Sequence, residues 1–261
     1  MKNDCRSYAN IVNSEKLRER GISVKFFDEI DSTNTEARRY AVGGEDAPVL
    51  FVANRQSEGR GRLGRSFYSP SDTGVYMTLL LEIKNGISQT VGITSAAAVA
   101  VLRATDTLTG GKTQIKWVND ILLDGKKICG ILAESFFVGE RFYAAIGIGL
   151  NVSTEDFPDE LKDIASSIGK RAKGAQKADI CERIACELYD LYRLAASGDR
   201  SYMKEYKERS AVLGRRISFG ADGQTREGIA TDIDDGGALL VTLDSGEQLS
   251  LGSGEITLRL K

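Results

Sequence analysis

A short segment rich in both arginine and glycine is the most restrictive feature of this chain. Four arginines, at positions 55, 60, 62 and 65, fall within eleven residues. The last three lie among three glycines in the run Gln56-Ser-Glu-Gly-Arg-Gly-Arg-Leu-Gly-Arg65. Glycine lets backbone N–H groups approach a ligand closely, and the planar guanidinium of arginine suits phosphate or carboxylate. The segment therefore predicts a loop that wraps an anion.

Two other interpretations of this loop compete with anion binding. Gly59, Gly61 and Gly64 match the dinucleotide-binding pattern G-x-G-x-x-G, but that motif must open a helix. Residues 66–74 instead carry turn residues, and another β-like run follows them, so a dinucleotide fold is disfavoured. A basic loop that is merely solvated stays open as an alternative.

The composition excludes several kinds of catalysis. The chain has no histidine, which removes histidine-assisted nucleophiles, histidine general bases and H-E-x-x-H zinc sites. Cys5, Cys129, Cys181 and Cys186 contain no C-x-x-C pair, so zinc and thioredoxin-like chemistry are also disfavoured. Unpaired thiols fit a reducing compartment.

Charge and hydropathy predict a cytoplasmic protein with small or local partners. The start of the chain is polar, and no apolar run approaches the length of a membrane span. The formal net charge of −2 offers no general attraction to nucleic acid or to anionic membranes. We therefore expect neither nucleic acid nor membrane as a partner.

Hydrophobic periodicity predicts two domains, at residues 1–213 and 214–261. The first has strands over 24–30, 49–54 and 75–83, a buried helix over 90–108 and strands within 116–152. Helices over about 180–191 and 202–213 follow, and Thr33 and Glu36 have the spacing of a capping box. After residue 214, five short strands with Gly-rich turns predict a small β-barrel.

The predicted barrel is acidic. It holds five basic residues against eight acidic ones, whereas a surface that follows nucleic-acid phosphates is basic. We therefore interpret the barrel as a lid or docking module.

A second group of polar residues lies in Lys116-Trp-Val-Asn-Asp120 and in the hairpin that follows. An alternating strand would place Lys116 and Val118 on one face and Trp117 and Asn119 on the other. The Asp124-Gly125 turn predicts a hairpin that returns Lys127 close to that strand. Such a group could bind carboxylate, phosphates and a hard metal ion, and a plain surface hairpin is the alternative.

Taken in order, these motifs resemble those of the biotin protein ligases over about residues 24–261. The implied fold is α+β, with a mixed sheet and helices similar to class II aminoacyl-tRNA synthetases and an SH3-like C-terminal domain. The matching segments are Asp31-Ser-Thr-Asn34, Gln56, Gly59–Arg65, Ser69-Pro70, Lys116–Asp120, Lys127, Gly130-Ile-Leu132, Gly147–Val152, Gly237–Leu240 and Gly254-Glu-Ile256.

The resemblance implies a two-step reaction. Biotin and ATP, with Mg²⁺, give biotinyl-AMP and pyrophosphate, and a lysine of a biotin carboxyl carrier protein or domain then takes the biotin. Such chemistry needs positioning and charge neutralisation but no protein nucleophile. With about two dozen residues before the first strand, we expect no DNA-binding domain and no repressor function; a homodimer stays open.

The resemblance also implies roles for individual residues. It gives catalytic roles to Lys127, Arg60 and Arg62, with Mg²⁺ bound through the ATP phosphates. The implied biotin-binding set is Ser32, Thr33, Asn34, Gln56, Gly59, Arg60, Lys127 and Gly130. The implied set for ATP and the adenylate is Arg62, Arg65, Lys116, Trp117, Asn119 and Asn151, with Asp120 beside it.

Three positions depart from the family pattern. Val118 replaces a usual proline, Phe67 replaces a frequent tryptophan, and Thr231 stands where some members carry an arginine. Two rival functions stay open: a lipoate or octanoate ligase, which shares the fold and the acyl-adenylate chemistry, and a sensor that binds biotin or nucleotide without catalysis.

Overall fold

The computed structural model describes residues 5–84, 92–221, 224–252, 254 and 256–258. The helices are α1 (Cys5–Val12), α2 (Glu15–Glu19), α3 (Thr33–Val42), α4 (Ile93–Thr109), α5 (Lys177–Ala196) and α6 (Tyr202–Glu208). The strands are β1 (Ser23–Ile30), β2 (Val49–Gln56), β3 (Gly74–Glu82), β4 (Gln114–Lys116), β5 (Asp120–Leu123), β6 (Lys126–Val138), β7 (Arg141–Asn151), β8 (Arg216–Ala221), β9 (Gln224–Ile233), β10 (Leu239–Leu243), β11 (Gln248–Leu251) and β12 (Ile256–Leu258).

Seven strands form one mixed sheet in the order β1-β2-β3-β7-β6-β5-β4. Only the β1–β2 pair is parallel among the described pairs of this sheet, and the others are antiparallel. Strands β3 and β7 are buried along nearly their whole length, which explains their continuous apolar sequence. They form the rigid centre from which the site is built.

Helices cover both faces of this sheet. Helix α4 packs against α5 on one face, where its alanines allow close approach, and α3 covers the other face with Ala37 and Ala41. The predicted helix over 90–108 begins at Ile93 among the described residues; Thr90 and Val91 lie outside them. Within the described part of the chain, no helix is long and apolar enough to cross a membrane.

The five C-terminal strands form an antiparallel sheet in the order β11-β10-β9-β8-β12. Its inner residues Ile217, Phe219 and Ala230 belong to the same apolar cluster as the large sheet's core. The centre of the first predicted turn (222–223), Glu255 and the end of the last predicted strand (259–260) lie outside the described residues. Shared packing fixes this small sheet against the large one.

Two local predictions are wrong at helix ends. The capping box would make Thr33 the N-cap of α3, but Ser32 is the N-cap and makes no side-chain cap bond. Helix α6 ends at Glu208, not near Leu213, because the next residues pair with β4: the N–H of Ile115 donates to Arg209 O, and that of Ala211 to Ile115 O.

The predicted alternating strand through residues 116–119 is also wrong. Strand β4 ends at Lys116, which pairs directly with Asp120 across a turn. Residues 117–119 form that turn, which the Tyr206 hydroxyl holds by donating to Val118 O at 3.2 Å. Trp117 is therefore buried against the C-terminal sheet, where its indole N–H donates to Gly237 O at 2.8 Å.

Candidate active site

Two neighbouring clefts open beside strands β6 and β7. Counted together with the space open to solvent at its mouth, the first is about 450 Å³ and the second about 910 Å³. Five residues line both: Gly61, Arg62, Phe67, Asn119 and Lys127. Because the same side chains border both volumes, ligands in the two clefts would meet beside these residues.

Glycines make the floor of the first cleft. A Cβ atom at Gly149 would lie 2.4 Å from the Phe67 ring, and one at Gly130 would lie 3.2 Å from both Lys127 Nζ and that ring. A Cβ at Gly147 would lie 2.1 Å from Asn34 Oδ1. Glycine is therefore required at these positions, because any side chain would keep the Phe67 ring and the Asn34 amide from lying against the sheet.

A hydrogen-bond network fixes one end of the first cleft. Gln56 Oε1 accepts from the Thr33 N–H at 2.9 Å, and Gln56 Nε2 donates to Ser69 Oγ at 3.0 Å. The buried Thr78 hydroxyl lies 2.8 Å from Thr33 Oγ1 and donates to Asn34 Oδ1 at 2.6 Å. Ser32 also lines this cleft, and its hydroxyl makes no cap bond to helix α3.

Lys127 stands at the junction of the clefts. Its Nζ lies 2.6 Å from Asp120 Oδ1, and the two side chains are 35% and 21% exposed. The backbone of Lys127 is held on the other side, because its N–H donates to Ile164 O and its carbonyl accepts from the Ser166 N–H. An ammonium group positioned in this way can neutralise anions in either cleft.

The arginine–glycine loop reaches over both clefts. Arg60 makes a bidentate pair with Glu134, at 3.0 and 2.9 Å. Arg62 donates instead to Asn119 Oδ1 at 3.2 Å and to Gly254 O at 3.4 Å, and Arg65 lines the second cleft. Successive arginines of the loop thus point to different partners.

Three cysteines whose side chains are described are unsuited to nucleophilic chemistry. Cys129, Cys181 and Cys186 are free and buried, and desolvation raises the pKa of each. Burial likewise raises the pKa of Tyr76 to about 12, so its hydroxyl stays protonated and donates to Pro70 O. None of these residues is among those described as lining the two clefts, whose basic members are Arg60, Arg62, Arg65, Lys116 and Lys127; these side chains can neutralise anionic charge.

Most of the residues predicted for the site lie together. The first cleft is lined by seven of the eight predicted for biotin: Ser32, Thr33, Asn34, Gln56, Arg60, Lys127 and Gly130. Gly59 instead lines a neighbouring cleft with Gln56 and Phe67. The second cleft is lined by five of the six predicted for the nucleotide: Arg62, Arg65, Lys116, Trp117 and Asn119, with Asp120.

Asn151 is not among the described residues that line either cleft. It is 4% exposed, and its Nδ2 donates to Ser166 O at 3.0 Å, behind the segment that holds the Lys127 backbone. Thr231 is one of the three positions that depart from the family pattern. It is not among the residues described as lining either cleft, and its hydroxyl donates to Leu240 O.

Sequence reasoning missed Glu134 and Thr78. Both face partners distant in sequence, 74 residues away for Arg60–Glu134 and 44 for Thr78–Asn34. The only signal for Glu134 was its acidic character two residues after the matching segment Gly130-Ile-Leu132.

Comparison with known proteins identifies the family. Residues 26–151 match the model of the biotin/lipoate A/B protein ligase family, and residues 212–259 match the biotin protein ligase C-terminal domain. The bifunctional ligase/repressor BirA of Bacillus subtilis (strain 168) is 35% identical over 226 residues, 85% of this chain and 70% of that protein. The chain belongs to the biotin protein ligase family.

Other biotin protein ligases agree in sequence and fold. The biotin–[acetyl-CoA-carboxylase] ligase of Mycobacterium tuberculosis is 30% identical over 232 residues, 86% of this chain and 85% of that one. The structure of the Aquifex aeolicus biotin protein ligase in complex with biotin and ATP has a TM-score of 0.71 at 23% identity, covering 91% of this chain and 99% of that chain. The α+β fold class, with a small C-terminal β-domain, is confirmed.

Proposed function

We propose that this biotin protein ligase binds biotin in the first cleft and ATP in the second, and joins them at Lys127. The observation that carries the assignment is the position of Lys127, which lines both clefts and whose Nζ lies 2.6 Å from Asp120 Oδ1. Family membership gives the overall activity: activation of biotin to biotinyl-AMP and transfer to a lysine of a carboxyl carrier protein or domain.

The first step joins two anions. A biotin carboxylate oxygen attacks the α-phosphorus of ATP, the bond to the bridging oxygen breaks, and pyrophosphate leaves. Lys127 neutralises the approaching charges, and Asp120 keeps its ammonium aimed at the junction. Arg62 and Arg65 face the nucleotide side, where guanidinium groups bind phosphate oxygens.

The second step is acyl transfer to a carrier lysine. The neutral amine of that lysine attacks the carboxyl carbon of biotinyl-AMP, AMP leaves with the electron pair of the broken C–O bond, and an amide forms as the nitrogen loses one proton to solvent. Because the adenylate is already activated, no thiolate or histidine of the ligase has to attack. The buried protonated thiols are consistent with this route.

We propose that Mg²⁺ enters with ATP. The Asp120 carboxylate and the Asn119 amide oxygen both border the second cleft. Asp120 Oδ1 pairs with Lys127 and Asn119 Oδ1 accepts from Arg62, so the ion would be held mainly by the ATP phosphates and by water, as is usual for Mg²⁺. When bound, the ion supplies further neutralisation of phosphate charge.

The first test is pyrophosphate exchange into ATP. We expect exchange that requires biotin and Mg²⁺ and needs no carrier protein, because adenylation precedes transfer. Octanoate and a reaction without any acid serve as controls. Exchange with octanoate alone would indicate the lipoate-type rival, and no exchange with either acid would indicate a non-catalytic sensor.

Gly149→Ala should damage the biotin cleft through Phe67. The new Cβ would stand 2.4 Å from the ring and push Phe67 into the cleft; a loss of about 1–3 kcal/mol of biotin binding, the usual cost of overpacking, would raise the KM for biotin about 5- to 150-fold. Gly220→Ala is the matched control, because its Cβ meets nothing within 4 Å on strand β8. An unchanged KM in Gly149→Ala would show that Phe67 does not shape the cleft.

We also propose that the chain acts in the cytoplasm, divides at 213/214, and does not read DNA through its acidic C-terminal strands. Five basic against eight acidic residues in 214–261 repel phosphates. A gel-shift experiment with a biotin-gene operator at physiological salt, with biotinyl-AMP added, should show no complex. A specific complex would overturn this part of the proposal.

A further inference from the structure

Glu134 connects the arginine–glycine loop to the sheet. Its two carboxylate oxygens accept from both terminal nitrogens of Arg60, and Oε2 also accepts from Asn34 Nδ2 at 2.9 Å. The residue lies on the part of β6 that extends beyond its pairing with β5, which ends at the Asp120–Gly130 pair. A bidentate pair of this kind fixes direction as well as distance.

The sheet side of this contact is rigid. Asn34 is 5% exposed, donates to Leu132 O as well as to Glu134, and accepts from the buried Thr78 hydroxyl. Gly147 leaves the space that the amide needs, since a Cβ there would lie 2.1 Å from Asn34 Oδ1. Glu134 therefore holds Arg60 against a fixed framework.

The loop side determines where Arg62 goes. Arg60 pairs with Glu134, and Arg62, two residues later in the loop, donates to Asn119, which lines both clefts. Arg60 is 46% exposed in this arrangement and its charge is already matched by a carboxylate. Its side chain thus serves as an anchor, and Arg62 is left for the adenylate phosphate.

We propose that Glu134 is a positioning residue that holds the loop, through Arg60, in the conformation that retains biotinyl-AMP. This inference rests on the proposed function and adds a residue to it. It makes Arg60 a tether through its side chain, a different role from the catalytic one that the resemblance implies.

Glu134→Gln tests the tether selectively. Glutamine keeps one oxygen that can accept from Asn34 but loses the charge and the second acceptor for Arg60. We expect biotinyl-AMP to dissociate about 2- to 5-fold faster, the range for one partly exposed ion pair. The KM for biotin should rise, while the rate of adenylation at saturating biotin should stay unchanged because Lys127, the residue proposed to neutralise the reacting charges, keeps its place beside Asp120.

Trypsin provides a second measurement that needs no ligand. The loop contains Arg62 and Arg65, so its freedom can be followed by the rate of cleavage after these residues in the unliganded protein. Glu134→Gln should be cleaved faster than wild type. This result is independent of catalysis, so failure of the proposed function in the exchange assay is distinguishable from failure of the tether.

Glu82→Gln is the matched control. Glu82 makes a similar bidentate pair with Arg141, at 3.2 and 2.8 Å, away from both clefts. The Glu82→Gln variant should leave loop cleavage and adenylate release unchanged. Comparing the melting temperatures of the two variants with that of wild type corrects for general destabilisation.

A double-mutant cycle decides whether the effect runs through Arg60. If it does, Glu134→Gln combined with Arg60→Ala should release biotinyl-AMP no faster than Arg60→Ala alone. Additive effects, or equal release from wild type and Glu134→Gln, would overturn the proposal. Faster cleavage with unchanged release would overturn it as well, because the tether would then have no part in retention.

Discussion

Lys127→Ala is expected to lower the rate of biotin adenylation by about 100- to 1,000-fold, the range for loss of one preorganised charge-stabilising group. The reason is geometric: Lys127 lines both clefts and its Nζ lies 2.6 Å from Asp120 Oδ1. Single-turnover formation of biotinyl-AMP measures the chemical step directly. The dissociation constant for ATP should change much less, because Arg62, Arg65 and Lys116 remain in the second cleft.

Lys126→Ala is the control for this experiment. The neighbouring lysine is exposed, and its Nζ donates to Lys162 O at 2.9 Å, so the variant removes the same charge one residue away from the junction. Its adenylation rate should equal that of wild type. If Lys127→Ala also kept the wild-type single-turnover rate, Lys127 would be a bystander and the proposed junction would be wrong.

The cleft walls were predictable because their residues follow one another closely in sequence. Arginine and glycine in the 56–65 loop indicate an anion site by composition alone, and the continuous apolar runs of β3 and β7 indicate strands buried on both faces. Order and spacing along the chain then resemble one family. Local patterns were sufficient for these elements.

The turn at residues 117–119 was not predictable from alternation. Four residues of alternating character are compatible with a strand, and only the pairing of Lys116 with Asp120 and the burial of Trp117 against Gly237 show where the chain reverses. Tertiary contacts override the local pattern here. The reversal brings Asn119 to Arg62, which a straight strand would not do.

The residues that support the cleft-lining residues through hydrogen bonds were the hardest to predict. Glu134 and Thr78 act through partners far away in sequence, and Asn151 supports the segment next to Lys127 from within the protein. Sequence motifs show which residues a family shares but not which wall of a cleft each one supports. For that reason the motifs group Asn151 with the nucleotide site, although the described cleft linings do not include it.

In the proposed reaction the loop holds a reactive anhydride until a carrier lysine arrives, and we propose that Arg62 retains it. Its guanidinium reaches Asn119 Oδ1 at 3.2 Å and Gly254 O at 3.4 Å, which connects the loop to both the large sheet's turn and the C-terminal region. In the proposed complex the same group meets the adenylate phosphate. Its removal therefore weakens closure and phosphate binding together.

Arg62→Gly should still form biotinyl-AMP but release it about 10- to 100-fold faster, since one charge-assisted hydrogen bond contributes about 1.5–3 kcal/mol. Released adenylate would then biotinylate lysines on proteins that do not dock.

Leu63→Gly is the control for added flexibility, because Leu63 is 74% exposed and already has a φ of 55°, which glycine adopts readily. The measurements are dissociation of preformed labelled biotinyl-AMP and labelling of a non-carrier protein. Equally slow release from wild type and Arg62→Gly would show that Arg62 does not retain the intermediate, and release as fast from Leu63→Gly would assign retention to loop stiffness rather than to charge.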